Sequence, residues 1–311
     1  MFNSEDNIHI KLLINEVCPR DGLQNESVYL NTQDKISMIN KLSRCGFAKI
    51  EVTSFTSPKA IPALRDAEEV MKSIDRNPKT RYTALVPNLR GAERALSCML
   101  DEANLVMSVS ESHNVANLRM TRSESVRQLR QTINLFQNKN IPLNISLSTA
   151  FGCPFEGDVS PHEVIRLIEA FSDYGISGIT LCDTTGMAYP SQVYKLCKTV
   201  LERFPELMLT LHFHDTRGLA LANTLAALEA GVVSFDSAAG GLGGCPFAPG
   251  ASGNASTEDT VHMLELMGYQ TGVDLDLIIS VAESLPQLIA RPVNSSIVQA
   301  GKRARRYRTP A

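Results

Sequence analysis

Eight short runs rich in β-branched and apolar residues, each followed by a stretch of helical periodicity, constrain this chain more than any other feature. They lie near Ile10–Val17, Ala48–Thr53, Tyr82–Val86, Leu105–Val109, Leu143–Ser148, Gly178–Leu181, Met208–Phe213 and Val232–Phe235. Parallel strands need a crossover long enough to hold a helix, so this alternation is the sequence form of repeated βα units. Eight units close a barrel, and the expected fold is a (β/α)8 TIM barrel over residues 8–272, with additional C-terminal helices and a basic tail over 273–311. A chain of 311 residues with 43% hydrophobic residues can bury such a core as one large domain. The main rival is a doubly wound sheet. Its first strand-to-helix turn would carry a phosphate-binding glycine pattern, whereas Cys18-Pro19-Arg20-Asp21-Gly22-Leu23 carries none.

The intervening helices have ordinary signals. Ser160-Pro161-His162-Glu163 reads as a capping box with proline at the first helical position, ahead of a stripe of Val164, Leu167, Ile168 and Phe171. A helix opening at Pro190 repeats Val193, Leu196, Cys197, Val200, Leu201 and Phe204, which makes Cys197 a core residue. Beyond Gly272, Leu275, Leu277, Ile278 and Val281 mark a helix in excess of the eight units. The run from Lys302 to Arg308 is expected to be a disordered basic tail, with phosphate binding as the alternative.

Composition narrows the function. Thirty basic residues against thirty-three acidic ones give a net charge of -3, so no global field favours nucleic acid or an anionic membrane, and neither is an expected partner. Seven cysteines, without C-x-x-C pairs, read as reduced thiols of a cytoplasmic protein rather than as a disulfide or zinc framework. The acidic start, Met1-Phe2-Asn3-Ser4-Glu5-Asp6, has neither signal- nor transit-peptide character, and no apolar run approaches membrane-spanning length.

Reactive groups of a barrel collect at the C-terminal ends of its strands. Here those ends carry Arg20 and Asp21, Glu51 and Ser54, Glu111, Cys153, Asp183, and the pair His212 and His214. Residues two apart in a strand point to one face, so His212-Phe213-His214 can offer two imidazoles to one cation, although an isolated pair of this kind can equally serve hydrogen bonds alone. Asp21 and Asn254 would add oxygen ligands, a mixed set that suits Mg²⁺ or Mn²⁺ better than structural Zn²⁺. The glycine-rich segment from Gly240 to Asn254 is either a flexible turn or a backbone cradle around a ligand. Cys245 at its centre is a candidate acid or base, or a thiol that only packs there.

These segments resemble the 3-hydroxy-3-methylglutaryl-CoA lyase family, within the metal-dependent barrel enzymes that make or break Claisen-type carbon–carbon bonds. The resemblance runs from Glu16–Glu26 through Ile50–Lys59, Phe151–Gly157, Asp183–Gly186 and His212–Thr216 to the long signature Gly241–Asn254, and covers roughly residues 8 to 290. It implies a lyase that cleaves the C2–C3 bond of 3-hydroxy-3-methylglutaryl-CoA, or of a close 3-hydroxyacyl-CoA thioester, to acetyl-CoA and acetoacetate or the corresponding keto acid in leucine catabolism, with Asp21, His212, His214 and Asn254 as metal ligands. Arg20 would polarise the thioester oxygen, Glu51 and Asp183 would belong to the polar shell, Gln24, Ser54 and Arg217 would meet substrate, and Cys245 would transfer a proton. A homo-oligomer, as a dimer, is expected. The base that deprotonates the substrate hydroxyl stays open between Asp21, a ligand histidine and a metal-bound water.

Four departures bear on substrate. Cys18 stands where the family commonly has glycine, Arg217 where tyrosine is expected and Ser146 where an aromatic residue is frequent, and Ser110–Asn114 is only loosely similar. Arg217 could pair with a substrate carboxylate or turn into solvent, and His113 could share in the change or serve only as a surface group. His9, His162 and His262 are expected to have no role. The alternatives are a lyase for another branched hydroxyacyl-CoA such as citramalyl-CoA, a condensing synthase of the same group, and a non-catalytic CoA-binding protein.

Overall fold

The computed structural model describes residues 10–244 and 253–308. Among them, eight strands, β1 (Leu13–Glu16), β2 (Lys49–Ser54), β3 (Arg81–Leu85), β4 (Glu102–Ser108), β5 (Leu143–Ser148), β6 (Gly178–Asp183), β7 (Met208–Phe213) and β8 (Ser234–Ser237), pair in sequence order. All the pairings are parallel, and β1 closes the ring on β8 with Leu13 opposite Ser234 and Glu16 opposite Ser237. The expected TIM barrel is the observed one. The strands expected from the sequence are all present, but β4 starts at Glu102, three residues ahead of the apolar run at Leu105, because its inward positions Glu102 and Asn104 are polar.

One face of each strand meets the helical layer. Ile14, Ile50, Leu105, Ile145, Ile179 and Leu211 have no exposed surface, and burying each such side chain contributes roughly 1.5–3 kcal/mol relative to leaving it in water. The other face is unusual for a barrel, whose interior is ordinarily filled by branched aliphatic residues. Here the interior is lined by Asn15, Glu51, Asn104, Asn144, Thr180 and Thr210 among others, and these groups bond to one another. Asn15 Nδ2 donates to Ser234 Oγ and Asp236 Oδ1, and Asn144 Nδ2 donates to Asn104 Oδ1 and Thr180 Oγ1. Buried polar groups are tolerated when they are paired in this way, and such networks fix one packing arrangement.

Among the described residues, the helical layer comprises α1 (Thr32–Leu42), α2 (Ala67–Ser73), α3 (Leu89–Ala95), α4 (Glu111–Leu118), α5 (Arg122–Gln137), α6 (Pro161–Ser172), α7 (Pro190–Arg203), α8 (Ala220–Ala230) and α9 (Thr257–Leu266). Cys197 lies in the core as expected. The capping box expected at α6 is only half made: Ser160 caps His162 N, while the Glu163 carboxylate is drawn to Arg122 Nη2 at 2.7 Å and Arg166 Nη2 at 2.8 Å. A complete box stands instead at α5, between Thr121 and Glu124. The extension beyond the barrel holds α10 (Leu275–Ile289) and α11 (Ser296–Ala300). Between them Asn294 N donates to Gly240 O and Arg291 pairs with Glu26, which anchors the extension to the loops after β8 and β1. Past α11, Arg303 N bonds His262 Nε2 and Lys302 Nζ pairs with Asp276.

Candidate metal centre and active site

Three loops build the site. Directly after β1 the chain enters a buried π-helical turn, Cys18–Gly22, in which Asp21 N donates to Val17 O at 2.8 Å. Its position is tied to the β8 side by Glu16, whose carboxylate accepts from Cys18 N, Ala239 N and Thr257 Oγ1. Burial pushes Glu16 up to about 8, against the lowering effect of those hydrogen bonds. At the end of β7, Phe213 packs on Phe151 while His212 and His214 share the opposite face, their Nε2 atoms 3.2 Å apart. Asp21 Oδ2 lies 3.9 Å from His212 Nε2 and 3.8 Å from His214 Nε2, so three potential donors fall within 4.8 Å of one another.

Asn254 completes the set. It pairs through its backbone with His214, and its Nδ2 donates to Asp21 Oδ2 and Leu242 O, both at 2.8 Å. Both amide hydrogens are thereby used, which leaves Oδ1 buried and without a hydrogen-bond partner. A buried unpaired carbonyl oxygen is expensive unless it meets a cation or water, so the orphaned Oδ1 fits the fourth place in a nitrogen- and oxygen-donor metal site. His212 is further oriented by Asp236, whose Oδ2 lies 3.3 Å from Nδ1, the second carboxylate contact that metal-binding histidines usually make.

The electrostatics agree with a cation site. Burial alone would raise the Asp21 carboxyl, but the Arg20 guanidinium, the two imidazoles and the Asn254 amide outweigh it and hold the group well below the usual carboxylate range. Burial, with the neighbouring His212, lowers His214 to about 4, while Asp236 and Asp21 overcome burial at His212 and raise it. Arg20 donates from Nε to Glu51 Oε2 at 2.5 Å and from Nη1 to Asp21, and Asn104 Nδ2 donates to Glu51 Oε1 at 2.8 Å. Asp183 accepts from Met187 N through Oδ1. Its Oδ2 is buried and unpaired, and burial pushes the carboxyl up to about 6.

The remaining expected residues are spread more widely. Ser54 is buried at the end of β2 with its hydroxyl on Thr56, and Gln24 is half-buried one turn after Arg20. Arg217 is exposed, and its Nη1 donates to the carbonyls of Thr185 and Gly186, bracing the loop after β6 against the loop after β7. Cys245 lies outside the described residues. Glu111 opens α4, exposed, with Oε2 on Arg122 N, and the buried Cys153 donates its thiol to Ser110 Oγ. His113 is not a surface group: it is 1% exposed, with Nδ1 2.7 Å from Ser108 Oγ. Sequence reasoning missed Asp236, Asn104 and Cys182, the last opposite His212 in register. Alternation places Asn104, between Ala103 and Leu105, on the inner face of its strand but gives it no partner, and Cys182 and Asp236 are each followed by a further polar residue, Asp183 and Ser237, which blurs the alternation.

Gly243 shows how tightly the glycine-rich segment approaches the site. Its φ is +126°, and a Cβ there would stand 2.3 Å from Asn254 Nδ2 and 3.3 Å from Asp21 Oδ2. Gly243→Ala is therefore expected to displace the Asn254 amide and weaken divalent-metal binding by at least about 10-fold, the low end for disturbed support of a ligand. Titration calorimetry of metal-free protein measures this, and unchanged affinity would contradict the proposed contact.

A closed parallel barrel that gathers an aspartate, two histidines and an asparagine at the C-terminal ends of its strands belongs to the class of barrel enzymes with a candidate divalent-metal centre. The HMGL-like family model matches residues 11–285. The hydroxymethylglutaryl-CoA lyase of Bacillus subtilis is 51% identical over 292 residues, covering 94% of this chain and 98% of that protein. The (R)-citramalyl-CoA lyase of Chloroflexus aurantiacus is 39% identical over 296 residues, covering 92% and 93%. The structure of an HMG-CoA lyase from Acinetobacter baumannii in complex with coenzyme A and 3-methylmalate superposes with a TM-score of 0.93 at 49% identity, covering 96% of this chain and 98% of that one. The chain belongs to the HMGL-like family. Among the described residues no helix is long and apolar enough to cross a membrane.

Proposed function

We propose that this chain cleaves the C2–C3 bond of 3-hydroxy-3-methylglutaryl-CoA to acetyl-CoA and acetoacetate. It is a carbon–carbon lyase of the hydroxymethylglutaryl-CoA lyase type. One observation carries this reading: the convergence of Asp21, His212, His214 and the unpaired Asn254 Oδ1 beside Arg20, in a chain 51% identical to a lyase of that name. A cytoplasmic homodimer acting on an acyl-CoA thioester completes the proposal, with Mg²⁺ or Mn²⁺ as the cation.

Breaking the bond requires the 3-hydroxyl to lose its proton while the C2–C3 electron pair moves onto the thioester carbonyl as an enolate. Both ends of the transition state gain negative charge, and preorganised positive groups stabilise such charge most effectively in a buried site. Asp21, His212, His214 and Asn254 would hold a divalent cation, which would supply Lewis-acid stabilisation of the negative charge that develops as the hydroxyl is deprotonated. The Arg20 guanidinium, fixed by Glu51 and Asp21, faces the thioester oxygen and stabilises the enolate. Deprotonation of the hydroxyl falls to the cluster around Asp21, and Asp183 keeps a carboxyl that can change protonation near neutral pH. Cys245 then protonates the enolate carbon, a thiol being a far stronger acid than a hydroxyl. Gln24, Ser54 and Arg217 are assigned to substrate contacts.

The test is chelation and reconstitution: removing divalent ions abolishes cleavage, and Mg²⁺ or Mn²⁺ restores it. Full activity in metal-free protein would overturn the assignment of the four ligands.

A further inference from the structure

The Arg20 guanidinium is held by Glu51, and Glu51 is held from below by the polar interior of the barrel. Asn104 on β4 is the junction. Its Oδ1 accepts from Asn144 Nδ2 and from Ser146 Oγ, both at 2.9 Å, and its Nδ2 donates to Glu51 Oε1 at 2.8 Å. The four side chains belong to buried residues on β2, β4 and β5, so the chain of bonds reaches past the intervening β3 inside the barrel. Direction in this chain of bonds is fixed by chemistry. A flipped Asn104 amide would set its NH₂ against the NH₂ of Asn144, and would offer an oxygen to a carboxylate that can only accept. Asn144 cannot turn away without also leaving Thr180 Oγ1, to which it donates at 2.9 Å.

Glu51 is thereby pinned through both oxygens, Oε1 on Asn104 and Oε2 on Arg20 Nε. An arginine whose Nε and Nη1 are engaged has its plane fixed and its remaining N–H groups aimed, which is the form in which a guanidinium contributes most to a developing oxyanion. We propose that Asn104 is a positioning residue for the lyase reaction: by holding Glu51 in place, it aims the Arg20 guanidinium at the thioester oxygen. The proposal rests on the role given to Arg20 above. The Asn104 side chain bonds to Glu51, Asn144 and Ser146 and to none of the four proposed metal ligands, so its effect should appear in turnover rather than in metal binding.

The test is a double-mutant cycle with Asn104→Asp, which keeps shape and both accepted hydrogen bonds but turns a carboxylate toward Glu51. Asn104→Leu, of similar size without polar atoms, gives the same comparison should the first variant fail to fold. Four quantities are read: kcat, KM for the acyl-CoA, metal affinity of the metal-free protein, and Tm. In the wild-type background kcat is expected to fall roughly 10- to 100-fold, the range for losing support of a preorganised donor, with KM and metal affinity changed less than about threefold. In an Arg20→Lys background, where the fork is already lost, the same substitution should lower kcat by less than about threefold, because residues acting as one unit are not additive. An unchanged kcat, an equal fold-loss in both backgrounds, or a loss that follows metal affinity would overturn the proposal. A wild-type rate in Arg20→Lys alone would instead overturn the role of Arg20.

Discussion

Changing His214 to alanine is expected to abolish turnover and weaken divalent-metal binding by more than about 100-fold, since disturbing only the outer contacts of a ligand already costs about 10- to 100-fold. The two Nε2 atoms stand 3.2 Å apart and each lies within 4 Å of Asp21 Oδ2, so removing one imidazole leaves no second nitrogen at that point. The fold should survive. His214 sits past the end of β7, and the barrel core is carried by the faces of the strands that meet the helices. Calorimetry with Mn²⁺, a lyase assay and thermal unfolding separate the effects. A variant that binds metal as tightly as the wild type would remove His214 from the ligand set, and one that fails to fold would give it a structural role.

Replacing Cys245 by serine is expected to lower kcat by roughly 10²-fold or more with little change in KM, the size associated with losing a positioned proton donor. Serine keeps the shape and removes the acidity, so the substitution isolates the proton transfer to the enolate carbon. The same thiol, if it reaches the substrate, should make the wild-type enzyme sensitive to alkylation and the serine variant resistant. The six cysteines of the described residues are all buried, which favours selective reaction at Cys245. An unaltered rate in the serine variant would mean that Cys245 only packs its loop.

The barrel was legible because parallel βα units leave a period in the chain: each strand reads as a short apolar run and each helix as a stripe. Boundaries failed where the inner face turned polar, as at Glu102 and Asn104 on β4. The proposed metal ligands stood out for a related reason, since His212 and His214 lie two apart at a strand end and Asp21 and Asn254 lie in the loops after β1 and β8. Their supporting groups did not. Asp236 behind His212 and Asn104 behind Glu51 are polar residues in strands that hold other polar residues, Ser234 and Ser237 or Glu102, and only the closing of the ring brings them to their partners. Ser146 illustrates the limit from the other side. It stands where relatives often carry an aromatic residue, which from sequence pointed to the substrate pocket, whereas its hydroxyl is committed to Asn104 inside the barrel. Arg217, a second departure, ties two loops together through Thr185 and Gly186.

The central claim, that this chain splits a 3-hydroxyacyl-CoA between C2 and C3, is tested most directly by product analysis with the metal-loaded enzyme. Purified protein is incubated with Mg²⁺ or Mn²⁺ and, separately, 3-hydroxy-3-methylglutaryl-CoA and citramalyl-CoA, and the products are resolved by mass spectrometry. The account predicts acetyl-CoA and acetoacetate in equal amounts from the first thioester, at a higher kcat/KM than for the second, and no products in the presence of excess chelator. Cleavage of citramalyl-CoA alone, or the same products at the same rate with chelator present, would contradict it.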